Sequence, residues 1–370
     1  MTYLDNAATS FPKPRCVLRE VYKCINNYCA NPGRSSHKLA AKCDDKIYEA
    51  RELISDFVNC SSPERIIFTQ NATHGLNLAI KGLIDSPCHV IISDLEHNAV
   101  VRPLYKAISR YGGRVSIFDS SLPIDEAIRP LICADTRLIV STLSSNVTGR
   151  SIDAKRLSQI SREYNIRLIL DGSQYIGHIP LPVSCDDYDC LVAPGHKGLL
   201  GIQGAGFVAL GRDAYPDTFI DGGNGHDTFN LGMGDYIPER YEGGTLSTPS
   251  IISMSAGISY INSIGINTIE EKINKLTVLA ADALGSLGGI TVYGAESGIV
   301  SFTSAKYTAN DVAGYLSRHN VFVRGGFQCA PLIHKKLGTE RHGIVRASFS
   351  YLNKRHDVDR LYSVIKGMLK

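Results

Sequence analysis

From about residue 15 to residue 245 the chain alternates short apolar runs with helical periods, and this limits it to few architectures. Ile66-Ile67-Phe68-Thr69 reads as a strand and Thr73 to Leu83 as a helix. Val90-Ile91-Ile92 is strand-like and precedes a helical stretch from Asn98 to Tyr111. Val115 to Phe118, Leu138 to Thr142, Leu168 to Leu170, Leu191-Val192 and Gly206 to Leu210 are further strands. Asp153 to Tyr164 carries Leu157 and Ile160 at helical spacing, with Asp153 as N-cap. Such alternation predicts an α/β layer fold around a mostly parallel sheet.

Loop chemistry then interrupts the pattern, with Asp221 to His226, Glu242-Gly-Gly-Thr245 and Pro249. One long helical pattern follows from Ser250 through Leu287. Strands at Ile299 to Phe302, Val321 to Val323 and Ile344 to Phe349 alternate with helices at Ala309 to Arg318 and Arg355 to Leu369. This reads as a large domain over 15–249 and a smaller α+β C-terminal domain over 250–370, joined by residues 1–14. A chain of 370 residues has room for both.

Charge and cysteine usage narrow the function classes. Lys+Arg 39 against Asp+Glu 36 leaves +3, which gives no footing for a nucleic-acid or membrane-surface protein. The ten cysteines are scattered without a C-x-x-C pair, so neither a disulfide framework nor a zinc site, nor any other metal site, is expected. Apolar runs such as Arg137 to Leu143 are too short for a bilayer, and Met1 to Asp5 is no leader. A cytoplasmic location is the expectation.

Four strand-edge loops carry the chemistry. Asp171 follows Leu168-Ile169-Leu170, where an open α/β sheet faces its ligand crevice; it reads equally as a ligand group or as a helix cap. Lys197, in Pro194-Gly-His-Lys-Gly198, is either a solvated loop lysine or one held near an anion that can lose its proton and attack a carbonyl. Thr69 to Gly75 is an ordinary cap or a phosphate cradle at a helix start. His97 is a capping or core residue, or one that stacks on a planar ring. Together they supply what a phosphorylated pyridine ring linked to a lysine requires, including an acid for the ring nitrogen.

In that combination the chain resembles the class V aminotransferase-like, fold-type I pyridoxal-phosphate enzymes, most closely the cysteine desulfurase and selenocysteine lyase branch. The resemblance covers almost the whole chain. It runs from Tyr3-Leu-Asp-Asn-Ala-Ala-Thr9 and Asn31 to His37 through Thr73, Glu96-His97-Asn98 and Ser145 to Gly149. It continues through Asp171 to Gln174, Gly195-His196-Lys197, Arg240 to Thr245, Arg324 to Cys329 and Val345 to Ser348.

The resemblance implies pyridoxal 5'-phosphate joined to Lys197, which also moves protons at the substrate α-carbon. Asp171 would pair with the ring nitrogen, His97 stack on the ring, Gln174 touch the ring oxygen and Asn146 lie beside ring and substrate. Ala72, Thr73 and His196 would hold the phosphate. Thr245 would reach the phosphate of a partner subunit, which implies a homodimer. Asn6, His37, Asn146, Arg324 and Arg346 would bind the substrate, Arg346 through its carboxylate.

Cys329 would be the nucleophile that takes sulfur from L-cysteine, giving L-alanine and an enzyme persulfide. Seventeen positions separate it from Arg346, the short spacing of the second group of desulfurases. Phe327 and Gln328 stand where that group has two histidines, and Pro194 where a serine is usual. The same residues leave open L-selenocysteine as substrate, and another class V lyase, epimerase or aminotransferase reaction. A non-catalytic scaffold is the reading from another class, and an intact Lys197 and Asp171 argue against it. The sulfur acceptor could be an iron–sulfur assembly protein, a thiol-transfer partner or a reductant.

Overall fold

The computed structural model describes residues 1–33, 37–226 and 228–370. Of the Asn31 to His37 stretch, Arg34, Ser35 and Ser36 lie outside the described residues.

The elements run β1 (Thr2–Tyr3), α1 (Arg15–Asn27), α2 (Lys38–Phe57), β2 (Ile66–Thr69), α3 (Ala72–Leu83), β3 (Cys88–Ser93), α4 (Asn98–Tyr111) and β4 (Gly113–Phe118). Next come α5 (Ile124–Ile128), β5 (Thr136–Thr142), α6 (Ala154–Glu163), β6 (Arg167–Asp171), β7 (Cys190–Pro194), β8 (Gly206–Leu210), α7 (Thr248–Ile264) and α8 (Ile266–Gly285). The chain ends with β9 (Ile290–Glu296), β10 (Ile299–Ser304), α9 (Ala309–Arg318), β11 (Val321–Phe322), β12 (Arg324–Gly326), α10 (Pro331–Leu337), β13 (Ile344–Ser348) and α11 (Arg355–Leu369).

Among the described residues the large sheet has the order β2-β8-β7-β6-β5-β3-β4. Its pairs are parallel except those that β8 makes with β2 and β7. Successive side chains on a strand point to opposite faces, and here both faces are covered. Ile91, Ile139, Leu168 and Leu170 pack on one side with Ile47 and Ile54 of α2, Leu157 and Ile160 of α6 and Ile258 of α7. Val90, Ile92, Leu138, Val140 and Ile169 pack on the other with Leu76 and Ile80 of α3 and Val100 and Leu104 of α4. The small sheet, β12-β13-β10-β9, is antiparallel and shares a core with α8, α9 and α11.

Two differences from the sequence expectation have local causes. The pattern expected as one helix from Ser250 to Leu287 is two helices, because Gly265 takes φ +88 between α7 and α8. That conformation suits glycine and ends the first helix. The strand β9, which the pattern did not suggest, lies at the edge of its sheet. Its residues are mostly half-buried, so little apolar alternation marks it.

Residues near the N-terminus link the two sheets. β1 pairs in parallel with β11, and Asp5 bridges Ser348. The Ser10 N–H, the Thr9 hydroxyl and the Lys13 ammonium all donate to the His196 carbonyl, at 3.0, 3.1 and 3.0 Å.

Candidate active site

The parallel strands end at one edge of the large sheet, and the loops that follow them converge there. A cleft of ≈ 110 Å³ is lined by Ala72 and Thr73 after β2, His97 after β3, Asn146 after β5, Asp171 at the end of β6 and Gln174 after it, and His196 and Lys197 after β7.

Each side chain is held locally. Asn71 caps α3 by accepting the His74 N–H at 2.9 Å, so Ala72 and Thr73 occupy first-turn positions whose N–H groups have no acceptor within the helix. His97 caps α4, its Nδ1 accepting the Ala99 N–H at 3.0 Å. Burial brings this imidazole down to about 4, so it is neutral near pH 7. Asp171, the last residue of β6, is buried and accepts the Ser173 N–H at 2.9 Å. Gln174 is anchored by its Nε2, which donates to the Ala7 carbonyl at 2.9 Å.

Lys197 keeps a partly open surface, but the protein around its amine lowers its pKa to about 8. Asp171 opposes that shift, while Arg346 and Arg324 add to it. A useful fraction of neutral amine therefore exists near neutral pH. His196 is pushed down to about 4 by burial, and its buried Nδ1 has no hydrogen-bond partner.

A second group of residues comes from the small sheet. Arg324 of β12 lies directly opposite Arg346 of β13. Like charges in that register repel, so the pair favours an anionic ligand. Arg346 is buried; its Nη2 meets Asp5 Oδ1 at 2.8 Å, its Nη1 donates to the Asn146 carbonyl at 2.9 Å, and its Nε has no partner. Cys329 is exposed, with Arg324 Nη2 3.9 Å from its Sγ. The Asn98 N–H donates to the Cys329 carbonyl at 2.7 Å, and Asn146 Nδ2 to the Gln328 carbonyl at 2.6 Å. These bonds tie the cysteine loop to the cleft.

Three expected site residues lie elsewhere. Asn6 is buried, and its amide donates to the Ser348 carbonyl at 2.9 Å and to Asn353 Oδ1 at 3.1 Å, so those donors serve the fold. His37 caps α2 by accepting the Ala40 N–H at 3.2 Å and does not line the cleft. Thr245 is exposed and lines a separate cavity of ≈ 650 Å³ beside Arg51, Glu64 and Glu242.

Residues given no role from the sequence stand near the cleft as well. Glu96 is wholly buried, accepts from Ser93 Oγ and the Thr142 N–H, and leaves Oε2 without a partner. Burial raises it to about 8, so it is largely protonated near neutral pH. Asp5 is the counter-charge of Arg346. His89, Cys133 and Asp135 bring ligand atoms within 4.8 Å of one another near the strand N-termini, but Arg114 occupies that space, bonded to both Asp135 and Cys133.

The set fits the expected cofactor. An unpartnered buried imidazole nitrogen and the first-turn N–H groups of α3 suit a phosphate. A lysine with a lowered pKa suits a carbonyl, and a buried acid suits a pyridinium.

Known proteins show the same framework. The class-V aminotransferase family model matches residues 2–361. A probable cysteine desulfurase from Methanothermobacter thermautotrophicus is 32% identical, over 97% of this chain and 92% of that relative. A cysteine desulfurase from Escherichia coli is 30% identical, over 98% of this chain and 91% of that relative. The apo structure of a cysteine desulfurase from Thermococcus onnurineus superposes with a TM-score of 0.89 at 28% identity, covering 99% of this chain and 94% of that one.

Proposed function

This chain belongs to the class-V aminotransferase family, and we propose that it acts there as a pyridoxal-phosphate-dependent cysteine desulfurase. It takes sulfur from L-cysteine and leaves L-alanine and a persulfide on Cys329. The observation that carries this reading is the thiol's position: Cys329 Sγ stands 3.9 Å from Arg324 Nη2 on a loop bonded to Asn98 and Asn146 of the cleft. A plain aminotransferase has no use for a thiol there.

When bound, the cofactor supplies an electron sink for charge leaving the substrate carbons. Lys197 would hold it, and its amine, lowered to about 8, would move the proton at the substrate α-carbon. Asp171 would hold the ring nitrogen, the neutral His97 would stack on the ring, and Gln174 would contact the ring oxygen. Ala72, Thr73 and His196 would hold the phosphate. Arg346 takes the substrate carboxylate with its free Nε, with Arg324 beside it. That grip presents the substrate sulfur to Cys329. The thiolate attacks; the S–S bond forms as the Cβ–S bond breaks, the electron pair stays with carbon, and a proton completes alanine.

The working unit in this reading is a homodimer. Thr245 sits outside its own chain's cleft, in the segment that exposes Phe229 (96%) and Leu231 (103%), from which it would reach the partner's phosphate. The acceptor of the persulfide sulfur is a thiol protein or a reductant. The ten cysteines are all free, which suits a reducing compartment such as the cytoplasm, and among the described residues no helix is long and apolar enough to cross a membrane. The same reading divides the chain into a large unit over 15–249 and a smaller one over 250–370 with residues 1–14, and Ile251, Met254 and Ile258 of α7 pack into the core of the large unit.

The test is Cys329→Ala, loaded with cofactor and given L-cysteine or L-selenocysteine. Sulfide release from cysteine should fall roughly a hundredfold or more. Alkylation after cysteine is added, followed by peptide mass measurement, should find a persulfide on wild-type Cys329. Wild-type sulfide release by the variant would overturn the reading.

A further inference from the structure

We propose that Gln328, held in turn by His334, is the positioning residue that presents the Cys329 thiol to the substrate. Gln328 replaces a histidine of the resembling desulfurases and so looks like a loss. In the fold it is the best-anchored side chain of the loop. It is 2% exposed, whereas its neighbours Phe327 and Cys329 are exposed. Its Nε2 donates to the Ile344 carbonyl at 3.1 Å and lies 3.5 Å from the Arg324 carbonyl. Its Oε1 lies 3.2 Å from His334 Nε2.

The polarity of this chain of bonds is determined. The donor to Ile344 must be the amide nitrogen, so the amide oxygen faces His334. His334 Nε2 must then carry a proton and donate. Nδ1 is left as an acceptor, and the Thr339 hydroxyl lies 2.7 Å from it. Burial lowers His334, which favours this neutral form. The Phe327 ring stands edge-on to the imidazole at 5.5 Å. Thr339, His334 and Gln328 thus form one directed, buried relay ending on the strand β13 that carries Arg346.

The loop needs such an anchor. Gln328 and Cys329 have φ +44 and +58, two consecutive non-glycine residues in the left-handed region. That conformation is unfavourable for L-residues and persists only where surroundings enforce it. Asn98 and Asn146 hold the two carbonyls, and the Gln328 side chain fixes the loop from the small-sheet side. Without it the chain can relax to negative φ, which turns the Cys329 side chain away from Arg324.

The inference rests on Cys329 being the attacking thiol, and one readout is independent of that. Gln328→Leu keeps the volume and removes both bonds; His334→Leu removes the support; His334→Gln keeps an N–H for the Gln328 oxygen. In the holoenzyme, Gln328→Leu and His334→Leu should lower kcat for sulfide release about tenfold or more while KM for cysteine moves less than about threefold, and His334→Gln should restore most of it. Separately, the iodoacetamide alkylation rate of Cys329, read by peptide mass, should change at least about threefold in the two leucine variants, with the exposed Cys29 as unchanged internal control. If Gln328→Leu does not fold, His334→Leu decides. Wild-type kcat and a wild-type alkylation rate in a folded leucine variant would overturn the proposal. Changed alkylation with sulfide release unaffected by Cys329→Ala would leave the positioning intact and overturn the desulfurase reading instead.

Discussion

At the scale of single residues, burial moves the titration of the groups around the cleft. Lys197 near 8 and Glu96 near 8 are held there mainly by burial, as are His97 and His196 near 4. The two histidines have a cost that shows as pH dependence. Unfolded, each titrates near 6.5; folded, near 4. Between those values the unfolded chain binds more protons, so stability rises with pH through the window. Their contribution is complete above about 6.5 and is lost as pH falls toward 4. His196→Gln should therefore lose less melting temperature than the wild type between pH 7 and pH 5 when both are measured without cofactor. An equal loss in both proteins would show that His196 is not held neutral in the fold.

At the scale of elements, the lysine loop is set by its fit against α7. Ser253 Oγ accepts the Ile202 N–H at 2.9 Å, and Met254 packs at Gly195. Gly257 lets the helix lie directly on the loop: a Cβ there would overlap the Leu199 carbonyl, two residues beyond Lys197. Neither backbone can yield cheaply. Gly257→Ala should destabilise the protein by about 1–3 kcal/mol, the range for overpacking, and weaken cofactor retention as Lys197 shifts. Thermal melting and the visible spectrum would check this. A variant with the wild-type melting temperature would mean that the helix and loop separate easily. α7 shows how element boundaries hide in a pattern: an apolar period continues past Gly265, but the positive φ there ends the helix.

At the scale of the whole molecule, residues from distant parts of the chain meet. Asp5 balances Arg346 across 341 positions, and the Thr9 to Lys13 segment holds the carbonyl of His196. Thr245 has no place in its own cleft, and the exposed Phe229 and Leu231 lie in the same segment. The expected assembly is a two-fold dimer with sites built from both chains. Light scattering should give twice the 40.3 kDa chain mass, and Thr245→Ala should weaken cofactor binding without dissociating the dimer. A fully active monomer would refute the composite site.

The alternation of apolar runs carried the large sheet, because strands buried on both faces must be apolar throughout and glycine-rich loops must follow them. Helices at Asn98–Tyr111, Ala309–Arg318 and Arg355–Leu369 were legible from a helical period instead, since each has one buried face. Residue types at strand ends were enough to expect Lys197, Asp171, His97 and Thr73 at one crevice, and they do line one cleft, because the placement of each depends on a strand edge a few residues away. The engaged amide of Asn6, the displaced Thr245 and the Gln328–His334–Thr339 relay were not legible. Each depends on a partner brought close only by packing, as Asn353 is to Asn6 and Ile344 to Gln328. Local patterning follows from the period of the backbone, whereas the meeting of distant polar groups is decided when the two sheets dock.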